Sequence, residues 1–297
     1  MKRLERIAWM TLLTAIAMVL AGARFVRPGQ AAPVAPFAMA ADDGSVEMHS
    51  TVGPREGHFT AAPSANAFGA SHAVHFRFAM PAAEIEFPLD VSGDPTALTY
   101  EWVAALDTNL SITEPRPVSG ATFVAPSRPG YYHLLIRRGV EREIIGQPML
   151  AVMVPFRNKV GSMLNGYRIG TYIAERLGRS DHPPGFLEVH RTDLALHVST
   201  HLRLGDFITH DGQANVWPKY VALSPRLLDK LELVLAKVGS RARFTQADTD
   251  DASQDVAFDV HSGFRTPAHN GGVWKAARDS RHQYGDAADV AIDADGD

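Results

Sequence analysis

The stretch from Ser280 to Asp289, SRHQYGDAAD, is the most informative part of this sequence of 297 residues. His282 offers an imidazole nitrogen and Asp289 a carboxylate oxygen, and both are good zinc ligands. Gly285 between them permits a tight turn, and the sequence contains no cysteine, so only nitrogen and oxygen ligands are at hand. Two histidines, one carboxylate and a water would make an open, catalytic zinc site. From the spacing alone, a surface histidine beside a turn-capping aspartate is the other interpretation.

The pattern on both sides of this stretch predicts strands and a helix. Residues Ala287–Ile292 and Val256–Val260 alternate apolar with polar or small side chains, as half-buried strands do. A helix is predicted over Pro225–Val238, because apolar residues recur there at 3.6-residue spacing. Ser224 is a suitable N-cap, and Gly239 is a suitable stop.

Residues 82–155 consist of short alternating runs separated by turn-forming residues. Strands are predicted at Glu84–Leu89, Leu98–Val103 and Tyr131–Ile136. Several short strands at this spacing predict a small all-β, sandwich-like domain. Residues 156–196 show no clear period, and we interpret them as a lead-in segment to the domain that follows.

The N-terminus has the composition of an export signal. Basic residues precede an apolar run from Ile7 to Ala23 that ends in small residues, so residues 1–23 are predicted to be a signal peptide or a membrane anchor. Residues 24–81 are rich in Ala, Pro and Gly and are predicted to be a flexible linker. We therefore expect an exported protein of the periplasm or cell envelope, either free or anchored in the inner membrane.

The overall charge excludes one class of partner. The formal net charge is -4, whereas nucleic-acid binding proteins need a basic face to neutralise phosphates. No nucleic-acid partner is expected.

Two motifs resemble a known family. Ser280–Asp289 fits the Ser-x-His-x-x-Gly-x-Ala-x-Asp signature of the zinc D-alanyl-D-alanine carboxypeptidases, which include the VanY-type peptidases and are related to the hedgehog signalling domains. Ser262–Pro267 is similar to that family's Ser-Gly-aromatic-Arg-Ser/Thr-Pro segment. Val198–Phe207 also resembles the entry helix of one bacterial branch. The resemblance covers residues 197–297, about a third of the chain.

The resemblance implies a fold, a cofactor and a reaction. It implies an α+β class, with a small zinc peptidase domain built on an antiparallel sheet over residues 197–297 and the all-β domain before it. His282 and Asp289 match two zinc ligands, and Arg265 matches the arginine that holds the substrate carbonyl or the developing oxyanion. The implied enzyme is a zinc metallopeptidase that hydrolyses peptide bonds next to D-amino acids in peptidoglycan stem peptides, as a D,D-carboxypeptidase or an endopeptidase.

Two parts of the family's machinery have no match in this sequence. The family's third zinc ligand is a histidine on a later strand, and its general base is a glutamate just before that histidine. No histidine or glutamate follows Asp289, so either the sequence is a fragment of a longer protein or the enzyme has lost its function, and of the two we expect a fragment. His261 is the nearest candidate for a substitute, ahead of His201 and His269, but we expect none of these three to bind zinc.

The last residues suggest a second metal. Asp293, Asp295 and Asp297 alternate in the way that calcium loops present their oxygen ligands. A calcium ion there would brace an insertion beside the site. The other interpretation is an acidic solvated turn.

Two further functions compete with the peptidase. One is a non-catalytic cell-wall-binding protein on the same fold, in which the β domain and the linker would do the binding. The other is an adhesin-like surface protein, which leaves the 280–289 signature without a role. A glutamate shortly before a histidine on a later strand would favour the peptidase.

Overall fold

The computed structural model describes residues 59–64, 73–92, 97–245 and 257–293. The predicted signal or anchor at 1–23, most of the predicted linker, Asp295 and Asp297 lie outside these ranges. The described chain is a mixed fold with many strands and few helices, and its sheets are open. All strand pairs are antiparallel except β2 with β10, which is parallel.

The first half of the described chain forms one larger sheet and two small ones. The larger sheet has the order β2-β10-β9-β5-β6, with β7 also paired to β5, while β1 pairs with β4 and β3 with β8. The bounds are β1 (Ala61–Pro63), β2 (Phe76–Ala79), β3 (Glu84–Glu86), β4 (Leu89–Val91), β5 (Leu98–Ala104), β6 (Asp107–Ser111), β7 (Arg116–Pro117), β8 (Thr122–Val124), β9 (Gly130–Arg138) and β10 (Glu141–Val152).

Aromatic side chains fill the core of this half. Phe87 packs edge-to-face against Trp102 and Phe123, and all three are fully buried or nearly so. The predicted strands at 98–103 and 131–136 are confirmed within β5 and β9. The predicted strand at 84–89 divides into β3 and β4 around Pro88, which has no N–H to donate to a ladder.

The second half contains shorter strands and the main helix. The bounds are β11 (Val154–Pro155), β12 (Met163–Leu164), β13 (Tyr167–Arg168), β14 (Gly185–Val189), β15 (Lys219–Val221), β16 (Ala257–Ser262), β17 (Asp289–Asp293), α1 (Ile173–Arg176), α2 (Pro225–Thr245) and α3 (Pro267–Asn270). Short 3₁₀ helices lie at Phe156–Asn158, Arg191–Asp193, Leu204–Phe207 and Arg281–Tyr284. Strands β11-β14-β15 form a three-stranded sheet, and β12–β13 and β16–β17 are two-stranded pairs.

The segment 156–196 belongs to the core of this second half. Tyr167, Tyr172 and Phe186 from this segment are fully buried together with Leu228 of α2 and Phe264 of the later part. No hydrophobic period is visible in this segment because its strands are only two to five residues long and are interrupted by turns. Their positions depend on tertiary packing rather than on local pattern.

Strand β10 joins the two cores because its alternate side chains face opposite ways. Leu150 and Val152 are buried in the first core, and Ala151 between them is buried in the second. The two halves also meet where the Tyr131 hydroxyl donates to the Glu188 carbonyl oxygen at 2.9 Å.

Helix α2 begins at Pro225 as predicted but continues past Gly239 to Thr245. A glycine inside a helix costs only about 1 kcal/mol relative to alanine, and good helix formers follow it. The segment Val198–Phe207, which resembles a family's entry helix, contains only the 3₁₀ turn Leu204–Phe207. Among the described residues, no helix is long and apolar enough to cross a membrane.

Candidate functional site

The β16–β17 pair brings the motifs Ser262–Pro267 and Ser280–Asp289 side by side. The predicted strands at 256–260 and 287–292 are found at Ala257–Ser262 and Asp289–Asp293, and Ser262 pairs with Asp289 across the ladder. Ser262 therefore brings the loop that carries Arg265 next to the residue predicted as a zinc ligand.

One ring nitrogen of His282 is hydrogen-bonded to the backbone. It is buried on the 3₁₀ turn Arg281–Tyr284, and its Nδ1 lies 2.8 Å from the Gly263 carbonyl oxygen. A carbonyl oxygen can only accept, so Nδ1 carries a proton and donates. In the neutral imidazole the lone pair is then on Nε2, which is the nitrogen left for a metal.

The Nε2 atom of His282 faces Asp289. The distance from Nε2 to Asp289 Oδ1 is 3.5 Å. Two ligands bound tetrahedrally to one zinc at their usual lengths lie about 3.3 Å apart. The Asp289 side chain is 57% exposed, which leaves a route from solvent. The donor types, the tautomer and the separation therefore fit zinc.

Arg265 contacts the same carboxylate from its other side. One terminal guanidinium nitrogen donates to Asp289 Oδ2, and Nε donates to Ser262 Oγ at 2.7 Å. The backbone N–H of Arg265 donates to the His282 carbonyl oxygen at 3.2 Å. The three site residues predicted from the sequence are thus in one connected cluster.

Two glycines are required by this close packing. Gly285 has φ +70° and lies so near the Ala222 carbonyl oxygen that a Cβ atom would overlap it. A Cβ at Gly263 would lie 2.7 Å from the Phe207 Cα atom. The tight turn expected at Gly285 is confirmed, and its reason is both conformational and steric.

Two side chains that the sequence did not single out support the site. The buried Tyr172 hydroxyl donates to the Gln283 carbonyl oxygen at 3.0 Å, and burial, together with the nearby Glu175, raises the pKa of Tyr172 so that it remains a donor. Thr209 Oγ1 donates to the Phe264 carbonyl oxygen at 3.0 Å and accepts from the Thr266 N–H. Tyr172 is 111 residues away from its partner, so no local sequence signal could have found it.

The described residues do not supply a complete metal site. Within these ranges, no group of three or more His, Asp or Glu side chains is arranged to hold a metal ion. A third zinc donor would have to come from outside them. Asp293 ends β17 opposite Ala257, and because Asp295 and Asp297 are not described, the calcium loop stays a prediction.

The three alternative histidines have other neighbours. His261 is exposed, and its Nδ1 lies 3.2 Å from Asp259. The His201 ring lies 2.7 Å from Glu232, a buried carboxylate on α2. Burial alone would raise the pKa of Glu232, but hydrogen bonds from the backbone N–H and the ring of His201 lower it. The backbone N–H of His269 donates to Thr266 Oγ1 at the start of α3.

In the comparisons with known proteins, no family model matches this chain, and no curated protein matches it significantly. The likeness at residues 262–267 and 280–289 therefore remains a prediction from the motifs.

Proposed function

We propose that this protein is a zinc-dependent peptidase that hydrolyses peptide bonds next to D-amino acids in peptidoglycan stem peptides. The observation that supports this most is the pairing of His282 Nε2 with Asp289 Oδ1 at 3.5 Å, with Nδ1 of the same ring held by the Gly263 carbonyl oxygen. The tautomer that this hydrogen bond implies and the His–Asp separation both suit two ligands of one zinc ion, which supports the proposal. The substrate class is taken from the resemblance of the two motifs.

His282 and Asp289 would hold the zinc ion. When bound, zinc acts as a Lewis acid and lowers the pKa of its water so that hydroxide is available near neutral pH. The half-exposed Asp289 side chain leaves an approach for water and substrate. A third ligand and a general base are needed from residues beyond those described.

Arg265 would hold the substrate carbonyl oxygen as negative charge develops on it. Its side chain is only 15% exposed, and the guanidinium is oriented by Ser262 and Asp289. A fixed, permanently charged donor stabilises an oxyanion without having to reorganise during the reaction. The ion pair with Asp289 also keeps the guanidinium close to the proposed zinc ligands.

Zinc titration of matched variants tests this proposal. We expect His282→Ala and Asp289→Ala to weaken zinc binding by at least tenfold in calorimetric titrations, because each removes one donor. His190→Ala is the control, since this exposed histidine lies elsewhere and pairs with Glu188. His261→Ala should also leave zinc binding unchanged, and loss of zinc from that variant would move the site to His261. Equal zinc affinity in all variants would refute the site.

A second candidate is a non-catalytic cell-wall-binding protein. It is favoured by one observation, namely that no group of three or more His, Asp or Glu side chains among the described residues is arranged to hold a metal ion. Under this alternative, His282→Ala would leave binding to isolated peptidoglycan intact, and no hydrolysis of a D-alanyl-D-alanine peptide would be detected with zinc present. Both alternatives assume an exported protein of the periplasm or cell envelope.

A further inference from the structure

Trp274 lies at the tip of a tight turn and is 82% exposed. The Ala276 N–H donates to the Val273 carbonyl oxygen at 3.2 Å, so Trp274 and Lys275 are the two central residues of a β-turn. Single exposed apolar residues are common on protein surfaces, and exposure alone does not identify a binding site. This turn is distinguished by its backbone conformation, its anchoring and its position.

Lys275 has a backbone conformation that glycine or asparagine normally occupies. Its φ is +58°, and a positive φ at the third position of a turn is unfavourable for a residue with a Cβ atom. In this conformation the Lys275 Nζ atom lies 4.1 Å from the centre of the Trp274 ring. A cation over one face of an indole helps to hold the ring in place. Backbone strain of this kind is concentrated at sites that bind ligands.

Two buried amide side chains fix the backbone that follows the turn. Asn270 Nδ2 donates to the Ala277 carbonyl oxygen, and Gln283 Nε2 donates to the Arg278 carbonyl oxygen, each at 2.9 Å. Asn270 is 4% exposed and Gln283 is 2% exposed. A loop held in this way has its shape before a ligand arrives, so less conformational entropy is lost on binding.

The turn borders the candidate site and adds positive charge to it. Val273 also lines a cleft of about 220 Å³, together with Arg265 and three histidines. Lys275 and Arg278 are exposed, and neither forms an ion pair within the part of the chain that the structure describes. A ligand of this turn should therefore offer a flat apolar face to the indole and oxygen acceptors to the two cations.

A sugar ring has both features. One face of a pyranose consists of C–H groups that can pack on an aromatic ring and leave water, while the oxygens around its rim accept hydrogen bonds. An anionic bilayer suits the turn less well. Attachment to a membrane surface relies on a broad apolar face or on clusters of roughly four to eight basic residues, whereas this turn exposes a single large apolar side chain, Trp274.

We propose that Trp274 and Lys275 form a binding site for a sugar ring of the peptidoglycan glycan strand. The identity of the polymer rests on the proposed function, since stem peptides are joined covalently to that strand. The sugar site itself goes beyond the proposed function, because it needs neither zinc nor hydrolysis. The protein should therefore bind glycan strands from which the stem peptides have been removed.

The test measures binding of soluble glycan strands, stripped of stem peptides by an amidase, to the full chain by calorimetry without zinc. We expect Trp274→Ala to weaken binding by about tenfold or more, because it removes the stacking face. Lys275→Gly relieves the positive φ and removes the ammonium, so it should fold normally and bind about threefold more weakly. Leu106→Ala is the control, since Leu106 is 60% exposed in the first half of the chain, and it should bind like the unaltered chain.

The possible results separate this inference from the proposed function. No binding of the stripped glycan, or equal affinity in Trp274→Ala and the unaltered chain, overturns the sugar site. Binding to phosphatidylglycerol vesicles that requires Trp274, without binding to the glycan, also overturns it and assigns the turn to a membrane surface. Glycan binding that requires Trp274, together with zinc affinity that is unchanged in the His282 and Asp289 variants, supports the sugar site and refutes the zinc peptidase. Zinc affinity that depends on those two residues, without glycan binding, refutes the sugar site alone.

Discussion

The large sheet of the first half and the β16–β17 pair differ in how exposed their arginine-paired carboxylates are. In the sheet, the Glu101 side chain is only 4% exposed and forms an ion pair with Arg137. In the β16–β17 pair, Asp289 is also paired with an arginine but remains 57% exposed, with a histidine nitrogen facing its other oxygen. Complete burial of a paired charge serves the fold, whereas partial exposure leaves a carboxylate free to bind a ligand.

The largest effect is expected from the aromatic core of the sheet. Trp102 is fully buried, and its Nε1–H donates to the Val124 carbonyl oxygen at 2.8 Å. Trp102→Ala should lower the free energy of unfolding by about 3–5 kcal/mol, because it leaves a cavity and an unpaired carbonyl. Urea denaturation measures this loss. Trp274→Ala is the matched control, since Trp274 is 82% exposed and its removal should change stability by less than about 0.5 kcal/mol. Similar losses in both variants would contradict the assigned core.

A smaller effect is expected at the turn that carries the site. Gly285→Ala combines an unfavourable positive φ with overlap against Ala222 and should cost about 2–4 kcal/mol. Gly139→Ala is the control, because Gly139 has φ +60° and open space around its Cα. That variant should lose only about 1 kcal/mol. The difference between the two, measured by urea denaturation, isolates the steric contact. No difference would show that the turn relaxes freely, and zinc affinity should fall only in Gly285→Ala.

The smallest effect concerns the buried Glu232 carboxylate, which resembles Glu101 rather than Asp289. Its pKa is lowered from the usual 4.5 because hydrogen bonds from the backbone N–H and the ring of His201 outweigh the opposing effect of burial. A lowered pKa in the folded state adds stability above pH 4.5, and this contribution is lost as the pH falls through the folded-state value. Glu232→Gln should therefore be less stable than the unaltered chain by about 1–2 kcal/mol at pH 7, and the difference should shrink below pH 4.5.

Chemical denaturation at several pH values measures that difference. Glu114→Gln, at an exposed position, is the control and should show no such dependence. A Glu232→Gln difference that stays constant down to pH 3 would contradict the lowered pKa.

Much of the local structure followed from sequence pattern. The strands at 98–103 and 131–136 and the start of α2 at Pro225 were predicted because each has a clear apolar period or a clear starting signal. The strands of residues 156–196 were not predicted, since runs of two to five residues interrupted by turns show no clear period. The end of α2 was predicted too early, at Gly239. One glycine inside a helix lowers its stability by only about 1 kcal/mol relative to alanine, which is not enough to end the helix.

The candidate site, too, was predicted from the sequence only in part. His282, Asp289 and Arg265 were identified from their motifs, and the structure brings all three into contact. The motifs did not reveal that Ser262 and Gly263 hold Arg265 and His282 in place, nor that Tyr172 braces the turn from 111 residues away. Gly263 acts through its backbone oxygen and Tyr172 is distant in the sequence, so neither contact has a signature in the order of residues, and the Ser262 contact needs the fold of the loop.

The sequence by itself determined which side chains have the chemistry of a zinc site and which segments form regular strands or helices, because side-chain chemistry and local periodicity are properties of neighbouring residues. Only the tertiary structure decided that the His282 lone pair is on Nε2 and that Arg265 lines a cleft with three histidines. Those features depend on which distant backbone atoms meet when the cores pack, since a carbonyl oxygen that fixes a ring or a wall that closes a cleft comes from another part of the chain.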